Sequence, residues 1–513
     1  MKGRPAQTVV VLLGLSWLIA CMPGGFHAAA QSQGTAKTAP PRAPKPNPEL
    51  ISVSQQIQDL ATAVPPELAA YALLQVAQAR GLNKPEEQRQ LIEQAYTLAG
   101  QSPYPVRMVL SAAGADTRAG YISTALGLGL DTLSLRTSAV TAMLRLDPAR
   151  ARELFQQLRP LPVERRSCTD TLLYDPGAYY RAALLVYRRG FTSDEQTKGM
   201  ADDFLESIFR DVNQASEVGA ASDLLQAVEF DPEILARAES AFGRAVNGIR
   251  GDYRSFQTTQ NSFTRNIVRL GQIQGRASHA LLESTRTYLI ANYSGDVCAD
   301  SVPNSTPGVN VPSPGASGDP FATLNQILIR NSIAPVVSTD LKPSSTTAVT
   351  PDTTQAYWQS QAAKQMQSDV SSLRSGPDAG DRKSPQWQED VEHVLTALRE
   401  WIDDSTEPSA EDFFIEKSEL YSQVFSVAPS DAPVYDDVTN AYIAFLSEEP
   451  ESADARIYWL WSIHSMVEKT RSSRTGDDAA GKRLETAVLN APNPAIALYG
   501  YLQVLERAQR VRF

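Results

Sequence analysis

Basic residues are too few in this sequence to favour a nucleic-acid-binding protein. Lys and Arg number 47 against 58 Asp and Glu, which gives a formal net charge of −11 at pH 7. Phosphate binding requires clustered Lys and Arg, and an anionic membrane surface would repel the chain. The acidic charge is typical of a protein kept soluble by repulsion. We therefore expect no nucleic acid among its partners.

Long apolar segments are also missing. Beyond residue 20 no stretch approaches the roughly 20 apolar residues that cross a bilayer, so an integral membrane protein is not expected. The one apolar run, residues 8–20, has 13 residues, follows Lys2 and Arg4, and precedes a Pro-Gly-Gly break. This order predicts a secretory signal peptide over residues 1–30.

The signal peptide can be cut at two places. Cleavage after Ala30 is predicted by the small residues 28–30 and leaves Gln31 as the first residue. Residues 18–21, Leu-Ile-Ala-Cys, resemble instead a bacterial lipobox, in which cleavage after residue 20 leaves Cys21 to receive a lipid. Both cuts predict an exported protein of the periplasm or outer cell envelope. Only the second gives a membrane contact, through a lipid on Cys21.

Cysteine is scarce. Besides Cys21 there are only Cys168 and Cys298, each in a turn-like sequence, and two remaining cysteines in an oxidising compartment most simply pair. The predicted disulfide closes a loop of about 130 residues and contributes up to about 5 kcal/mol on the chain-entropy model. Metal binding by two isolated cysteines without a nearby histidine is the weaker alternative.

Histidine is scarce as well. Outside the signal peptide there are His279, His393 and His464, each with a Glu four residues away on a predicted helix. One His–Glu pair gives two ligands, whereas a metal site needs three or four, so these pairs indicate surface contacts. No H-E-x-x-H or G-x-S-x-G sequence occurs. We expect no metal and no cofactor, and assign no catalytic residue.

One string matches part of a nucleotide-binding motif. Residues 476–483, Gly-Asp-Asp-Ala-Ala-Gly-Lys-Arg, fit G-x-x-x-x-G-K, but Arg483 stands where a Ser or Thr must bind Mg²⁺. Asp477 and Asp478 would repel phosphates. We interpret the string as a loop between helices and expect no nucleotide.

The periodicity that is present is helical. Apolar residues over 232–247 form one stripe of a 3.6-residue helix, and alternating strand patterns of useful length are absent. Three predicted helices open with an apolar residue followed by Asp-Pro, at Asp147, Asp175 and Asp231. Asp is a preferred N-cap and Pro suits the first helical position. We expect an all-α protein.

Short helices joined by tight Pro-containing turns predict stacked helical hairpins in a solenoid-like array. The pattern resembles degenerate tetratricopeptide or HEAT repeats, although no consensus signature is met. Composition divides the chain after the signal peptide into four parts. We expect a Pro-rich spacer (31–50), an N-terminal helical-repeat region (51–298), a low-complexity linker (299–353) and a C-terminal helical region (354–513). Residues 321–333 within the linker predict either one short helix or a segment docked on a neighbour.

Tryptophan outside the signal peptide is confined to the C-terminal region. Trp459 and Trp461 lie in the sequence Arg-Ile-Tyr-Trp-Leu-Trp-Ser-Ile-His, whose side chains cannot all lie on one helix face. Trp is enriched at binding surfaces, so these two are candidates for a recognition surface. An ordinary aromatic core is the alternative.

These features predict an exported bacterial cell-envelope helical-repeat protein with a protein-binding or scaffolding role, its partner an envelope protein or an extended polymer. A lipid-anchored assembly factor is one form of this role. The alternative is a peptidoglycan- or polysaccharide-active enzyme that uses dispersed carboxylates on a helical scaffold. Glu206-Ser207 occurs without the Gly-Leu-Met-Gln stretch typical of lysozyme-like catalytic segments. The sequence therefore names a class and no specific activity.

Overall fold

A computed structural model describes residues 48–79, 84–111, 117–228, 231–273, 277–299, 321–347, 361–376, 381–402, 410–472 and 479–510. The predicted signal peptide and Cys21 lie outside these residues. Within them the protein is all-α, as predicted, with 21 α-helices and four strands of three residues each. No helix of the described part is long and apolar enough to cross a membrane.

Fourteen of the described helices precede residue 348. They are α1 (Pro48–Leu60), α2 (Pro66–Gln78), α3 (Pro85–Ala99), α4 (Arg118–Leu126), α5 (Thr132–Met143), α6 (Pro148–Gln156), α7 (Gly177–Arg189), α8 (Ser193–Thr197), α9 (Met200–Arg210), α10 (Ala215–Ala227), α11 (Pro232–Asn247), α12 (Tyr253–Gln272), α13 (His279–Tyr293) and α14 (Ala322–Arg330). Seven more follow. They are α15 (Gln361–Ser375), α16 (Pro385–Glu400), α17 (Ala410–Val427), α18 (Val434–Leu446), α19 (Ala453–Ser472), α20 (Ala479–Leu489) and α21 (Pro494–Arg510).

Two of the three Asp-Pro pairs start helices as predicted. Asp147 accepts a hydrogen bond from the Arg150 backbone N–H at the start of α6, and Asp231 accepts one from Glu233 at the start of α11. At Asp175 the helix begins one residue later than expected. The Asp175 side chain accepts a hydrogen bond from the Gly177 backbone N–H, and Pro176 is the N-cap residue of α7. In all three places the carboxylate satisfies a backbone donor that the helix leaves free.

Consecutive helices form stacked hairpins. In the N-terminal half α2 packs on α3, α10 on α11 and α12 on α13, while α2, α5, α7, α10 and α12 contact one another in turn. In the C-terminal half α15 packs on α16, α17 on α18 and α19 on α20, while α15, α17, α19 and α21 contact in turn. A solenoid-like curvature and a repeat of the tetratricopeptide or HEAT type stay predictions.

The two halves meet through the ends of the chain. The last helix, α21, packs on α1 and also contacts α2, and residues 46–513 form one compact unit. Buried apolar side chains of both halves belong to one continuous core. The two regions expected from composition are therefore not separate bodies. Helix α1 also begins at Pro48, inside the expected spacer, because Leu50 is buried in this core.

A short antiparallel ribbon and α4 connect distant helices. Strands β1 (Met108–Leu110) and β2 (Leu172–Tyr174) pair with each other, and β2 contacts α12. Helix α4 contacts α17 and α19, where Arg118 forms a two-pronged ion pair with the buried Asp412. This ribbon and helix therefore contact both halves of the protein.

The expected linker contains a folded segment. Residues 321–347 lie against the N-terminal half: α14 packs on α12, and β4 (Ser345–Thr347) pairs in parallel with β3 (Asp296–Cys298). Apolar side chains such as Leu324 and Leu328 are buried there. Both alternatives for residues 321–333 occur together: the segment forms the short helix α14, and this helix is docked on α12. Although the tract is rich in Ser, Thr and Pro, it contains enough apolar residues to form one buried helix face.

Candidate functional site

A groove crosses three helices that pack side by side, α2, α5 and α7. We call it the α2–α5–α7 groove. Its cavity has a volume of about 490 Å³, within the usual range of ligand sites. Its polar lining residues are Tyr71, Gln75, Gln78, Ser134, Thr137, Ser138, Thr141 and Arg181.

The polar side chains follow the helical period on two of the three helices. On α2 they are Tyr71, Gln75 and Gln78, and on α5 they include Ser134, Ser138 and Thr141, in both helices at positions i, i+4 and i+7; the buried Thr137 lies beside this set. Residues with this spacing lie on one face of a helix. The other faces of α2 and α5 are apolar and buried, which fixes the polar faces toward the groove.

Helix α7 forms the third wall with small side chains. The small side chains of Ala178 and Ala182 leave the groove open on this side. Leu185 adds apolar surface, and Arg181 precedes Ala182 on the same helix. The floor is completed by Leu74 and by other apolar side chains of the three helices. The groove therefore has an apolar floor and polar walls.

The hydroxyl oxygens of α5 are available as hydrogen-bond acceptors, because their hydrogens are already donated to the helix backbone. Ser138 donates its hydroxyl hydrogen to the Ser134 carbonyl at 2.8 Å, and Thr141 donates to the Thr137 carbonyl at 2.9 Å. Each hydroxyl has one donor and two lone pairs, so the oxygen remains an acceptor. Gln75 adds an amide that can both donate and accept. The walls can therefore bind the N–H and C=O groups of an extended chain.

The groove carries little charge for an acidic protein. Arg181 is its one charged lining residue, it is exposed, and among the described residues no carboxylate lies within 4.0 Å of it. No Asp or Glu lines this groove. At the edge, Arg145 donates to the Gln78 side-chain oxygen at 3.4 Å. The groove therefore favours neutral or acidic ligands and has no carboxylate pair for acid–base chemistry.

Trp459 is not part of a surface, so the prediction of a recognition surface is wrong for this residue. Its side chain is fully buried and its indole N–H donates to the Leu446 carbonyl at 2.7 Å. Helix α19 packs against α17, α20, α21 and α4, so more than one of its faces is covered. Trp461 is half-buried and stacks on Tyr458 with 5.1 Å between ring centroids. A recognition role stays a prediction for Trp461 alone.

The predicted disulfide between Cys168 and Cys298 is confirmed, with the two Cα atoms 5.3 Å apart. Cys298 ends β3, and Cys168 lies shortly before β2, where its carbonyl accepts two hydrogen bonds from Arg254 of α12. The bond fixes the ribbon to the α12–α13 hairpin. It lies outside the groove and is a structural element.

The histidines do not gather metal ligands. His279 lies 4.0 Å from Glu283 on an exposed helix face, and His464 packs against the ring of Tyr499. In the described ranges no three metal-ligating side chains come together.

The partial nucleotide motif is not a loop where it is described. Residues 479–483 form the first turn of α20, and Arg483 pairs with Asp436 at 2.9 Å. A helical backbone at this position cannot wrap around a phosphate, so the expectation of a loop between helices is wrong for these residues. The first three residues of the motif lie outside the described residues.

Buried carboxylates occur away from the groove. Glu67 lies 3.3 Å from Arg456, and burial raises the pKa of Glu67. Glu416 accepts a hydrogen bond from Gln367 at 2.9 Å, and burial raises the pKa of Glu416 to about 7. Both are nearly inaccessible to solvent, so neither faces a substrate-sized opening.

Sequence reasoning missed the groove itself. The three-residue stripes of α2 and α5 are visible as polar positions within apolar helices, at 71, 75, 78 and at 134, 138, 141. That they line one cavity depends on which helices stack. Comparison with protein families, with curated proteins and with solved structures finds no match for this chain.

Proposed function

We propose that this protein is an exported cell-envelope protein with a protein-binding or scaffolding role, and that the α2–α5–α7 groove holds an extended segment of a partner polypeptide. One observation carries the proposal: hydroxyl and amide side chains form regular stripes on two adjacent helices and face a shared cavity with an apolar floor.

The chemistry of the walls supports a polypeptide as the ligand. Backbone amides offer alternating donors and acceptors, which match the Gln75 amide and the Ser138 and Thr141 hydroxyls. The apolar floor suits the side chains of such a segment, and Arg181 suits a carboxylate on it. Stacked hairpins commonly present surfaces of this kind to extended chains.

The reach of the chain supports a curved, solenoid-like array. Nine helices contact one another in the order α15, α17, α19, α21, α2, α5, α7, α10 and α12. If their axes lay about 8–10 Å apart in a straight row, α15 and α12 would be about 70 Å apart. Thr347, beside the α12–α13 hairpin, and Gln361, the first residue of α15, are 14 residues apart, which spans at most about 50 Å. A straight row would place α15 and α12 farther apart than these residues can reach. A curved row brings the two helices close enough.

The disulfide supports export. Bonds such as Cys168–Cys298 form and persist in oxidising compartments and are rare in reducing ones. The proposed location is therefore the periplasm or the outer cell envelope. Attachment through a lipid on Cys21 belongs to the same proposal and is decided by the mass of the mature N-terminus.

The test is site-specific photocrosslinking in intact cells. A photoreactive side chain replaces Ser138 in the groove, and in a matched control it replaces Thr396, an exposed hydroxyl residue of α16. We expect one discrete envelope-protein adduct from position 138 and none from position 396. The adduct is identified by mass spectrometry, and the partner is then produced for binding measurements.

A groove-filling substitution completes the test. Ser138→Arg is expected to weaken the purified partner at least tenfold, and Thr396→Arg is expected to leave its affinity unchanged. No adduct at position 138, the same adducts at both positions, or an adduct with glycan alone would overturn the proposed function.

A further inference from the structure

A second cavity lies on the other side of α7, between α6 and α9, and has a volume of about 570 Å³. We call it the α6–α9 pocket. Its walls are the rings of Phe155, Tyr179, Phe191 and Phe204, and Met200 stands at its mouth with 44% of its surface exposed. Tyr179 follows Ala178 of the groove in sequence, so α7 separates the two cavities.

The aromatic walls form one connected cluster. Phe155 stacks on Tyr179 with 4.8 Å between ring centroids and meets Phe204 edge to face at 5.5 Å. Phe204 contacts Phe191 at 5.6 Å. Phe155 and Tyr179 are buried, whereas Phe191 and Phe204 keep part of their surface in contact with solvent. The pocket therefore offers apolar surface that the chain itself does not cover.

Two arginine side chains complete the walls, and each is held by a carboxylate. Arg152 lies over the ring of Phe191 and makes two hydrogen bonds of 2.7 Å to Glu195. Arg159 lies over the ring of Tyr179, 4.5 Å from its centroid, and pairs with Glu217 at 2.9 Å. These contacts fix the planes of both guanidinium groups and neutralise their charge.

The Glu217 carboxylate is fully buried and fully paired. Its second oxygen accepts the backbone N–H groups of Asn213 and Gln214, and the Tyr180 hydroxyl donates to the first at 2.8 Å. A buried carboxylate with all its partners holds Arg159 in one position. The floor of the pocket is therefore rigid before any ligand arrives.

The acidic residues at the rim, Glu153, Asp203 and Asp211, each have an arginine partner at the surface. Glu153 pairs with Arg150 at 2.8 Å, Asp203 pairs with Arg237 at 2.8 Å, and Asp211 lies 3.9 Å from Arg210. With acidic and basic groups balanced around it, the pocket has little electrostatic attraction for a charged ligand. Binding free energy must come from burial of apolar surface, which charge and salt affect little.

We propose that the α6–α9 pocket is a second binding site, which receives one uncharged apolar side chain, of the size of Leu, Met or Phe, from a polypeptide partner. A pocket with aromatic walls and a flexible Met at its mouth is the usual setting for such an anchor. The inference rests on the proposed protein-binding role for the class of ligand, and not on the groove.

The test measures binding of single-residue probes by saturation-transfer NMR. The probes are the N-acetyl amides of Phe, Leu, Gln, Lys and Glu, each at 50 and 500 mM NaCl. We expect the Phe and Leu probes to bind with a Kd on the order of 1 mM, with less than a twofold change between the two salt concentrations. The Gln, Lys and Glu probes are expected to bind at least fivefold more weakly.

Variants locate the binding. Met200→Glu places a charge at the mouth and Ser207→Trp fills the cavity from α9, and each is expected to weaken the Phe probe at least fivefold. Ile402→Glu is the matched control, because Ile402 is an apolar side chain with 71% exposure in the C-terminal half. It is expected to leave probe binding unchanged.

The results separate this proposal from the proposed function. Probe binding lost in Met200→Glu and Ser207→Trp supports the pocket even if crosslinking at position 138 fails. Binding of no probe, preference for the Lys or Glu probe, strong dependence on salt, or equal loss in Ile402→Glu would overturn it. Tighter binding of octanoate than of every amino-acid amide would also overturn it, because the ligand would then be an acyl chain.

Discussion

Replacing Glu416 by Gln is expected to change how the stability of the protein depends on pH. Glu416 lies on α17 with 1% of its surface exposed. One carboxylate oxygen accepts a hydrogen bond from Gln367, and the other is buried without a hydrogen-bond partner. Burial raises the pKa of Glu416 to about 7, the Gln367 hydrogen bond offsets part of that rise, and the nearby Asp412 carboxylate adds a smaller increase.

The sign follows from the two pKa values. A carboxyl group whose pKa is higher in the folded state than in the unfolded state destabilises the fold once it ionises. This cost is absent below pH 4.5, the pKa of the carboxyl group in the unfolded chain, and grows as the pH rises to about 7. Above that it levels off at about 3 kcal/mol. At pH 5.0 it is still below about 1 kcal/mol, so most of it develops between pH 5.0 and 8.5.

Urea unfolding at pH 5.0 and pH 8.5 measures this effect directly. Gln cannot ionise, so the free energy of unfolding of Glu416→Gln relative to the natural protein should rise by about 2–3 kcal/mol between the two pH values. Comparing the two pH values cancels any constant cost of burying the Gln amide. Glu392→Gln, on an exposed position of α16, is the control and should show no such change. An equal difference between Glu416→Gln and the natural protein at both pH values would refute the reasoning.

Three further predictions concern stability, each measured by urea unfolding at pH 7. Arg159→Ala leaves the Glu217 carboxylate buried without its cation and should cost about 3–5 kcal/mol. Changing both Cys168 and Cys298 to Ser should cost about 2–5 kcal/mol, and intact mass should show a gain of about 2 Da on reduction of the natural protein only. Asp147→Ala removes the N-cap of α6 and should cost about 0.5–2 kcal/mol.

Each of these has an outcome that contradicts it. Tyr180→Phe is the comparison for Arg159→Ala: it removes two hydrogen bonds but no charge and should cost less, about 1–3 kcal/mol, so equal losses would contradict the importance of the buried charge. Dithiothreitol should lower the free energy of unfolding of the natural protein only. An equal decrease in the double Ser variant would contradict the role of the disulfide. Asp147→Asn keeps a capping oxygen and should be nearly neutral, so a loss equal to that of Asp147→Ala would contradict the capping role.

Local features were predictable because they depend on neighbouring residues. The all-α class follows from 3.6-residue periodicity, and the caps at Asp147 and Asp231 follow from the preference of Asp for free backbone donors. The pairing of Cys168 with Cys298 followed from elimination, since no other cysteine outside the signal peptide was available.

Features that depend on packing order were not predictable. Trp459 was expected near a surface because one helix has a limited buried face, but α19 is in contact with five other helices. Docking of residues 321–347 depends on a receptive face of α12, which composition does not reveal. The groove and the α6–α9 pocket exist because α2, α5, α6, α7 and α9 meet in a particular arrangement, and residue spacing within one helix cannot show it.

The contact between α21 and α1 determines what a deletion at either end of the chain would do. In most helical arrays the first and last helices are the outer layers, and trimming them shortens the stack. Here α1 and α21, the first and last of the described helices, pack on each other between the two halves, and the helices at the two ends of the row, α12 and α15, come from the interior of the sequence. Removing α21 would therefore uncover the apolar faces of α1 and α19 that it covers. Early chain termination should produce aggregation rather than a shorter folded protein.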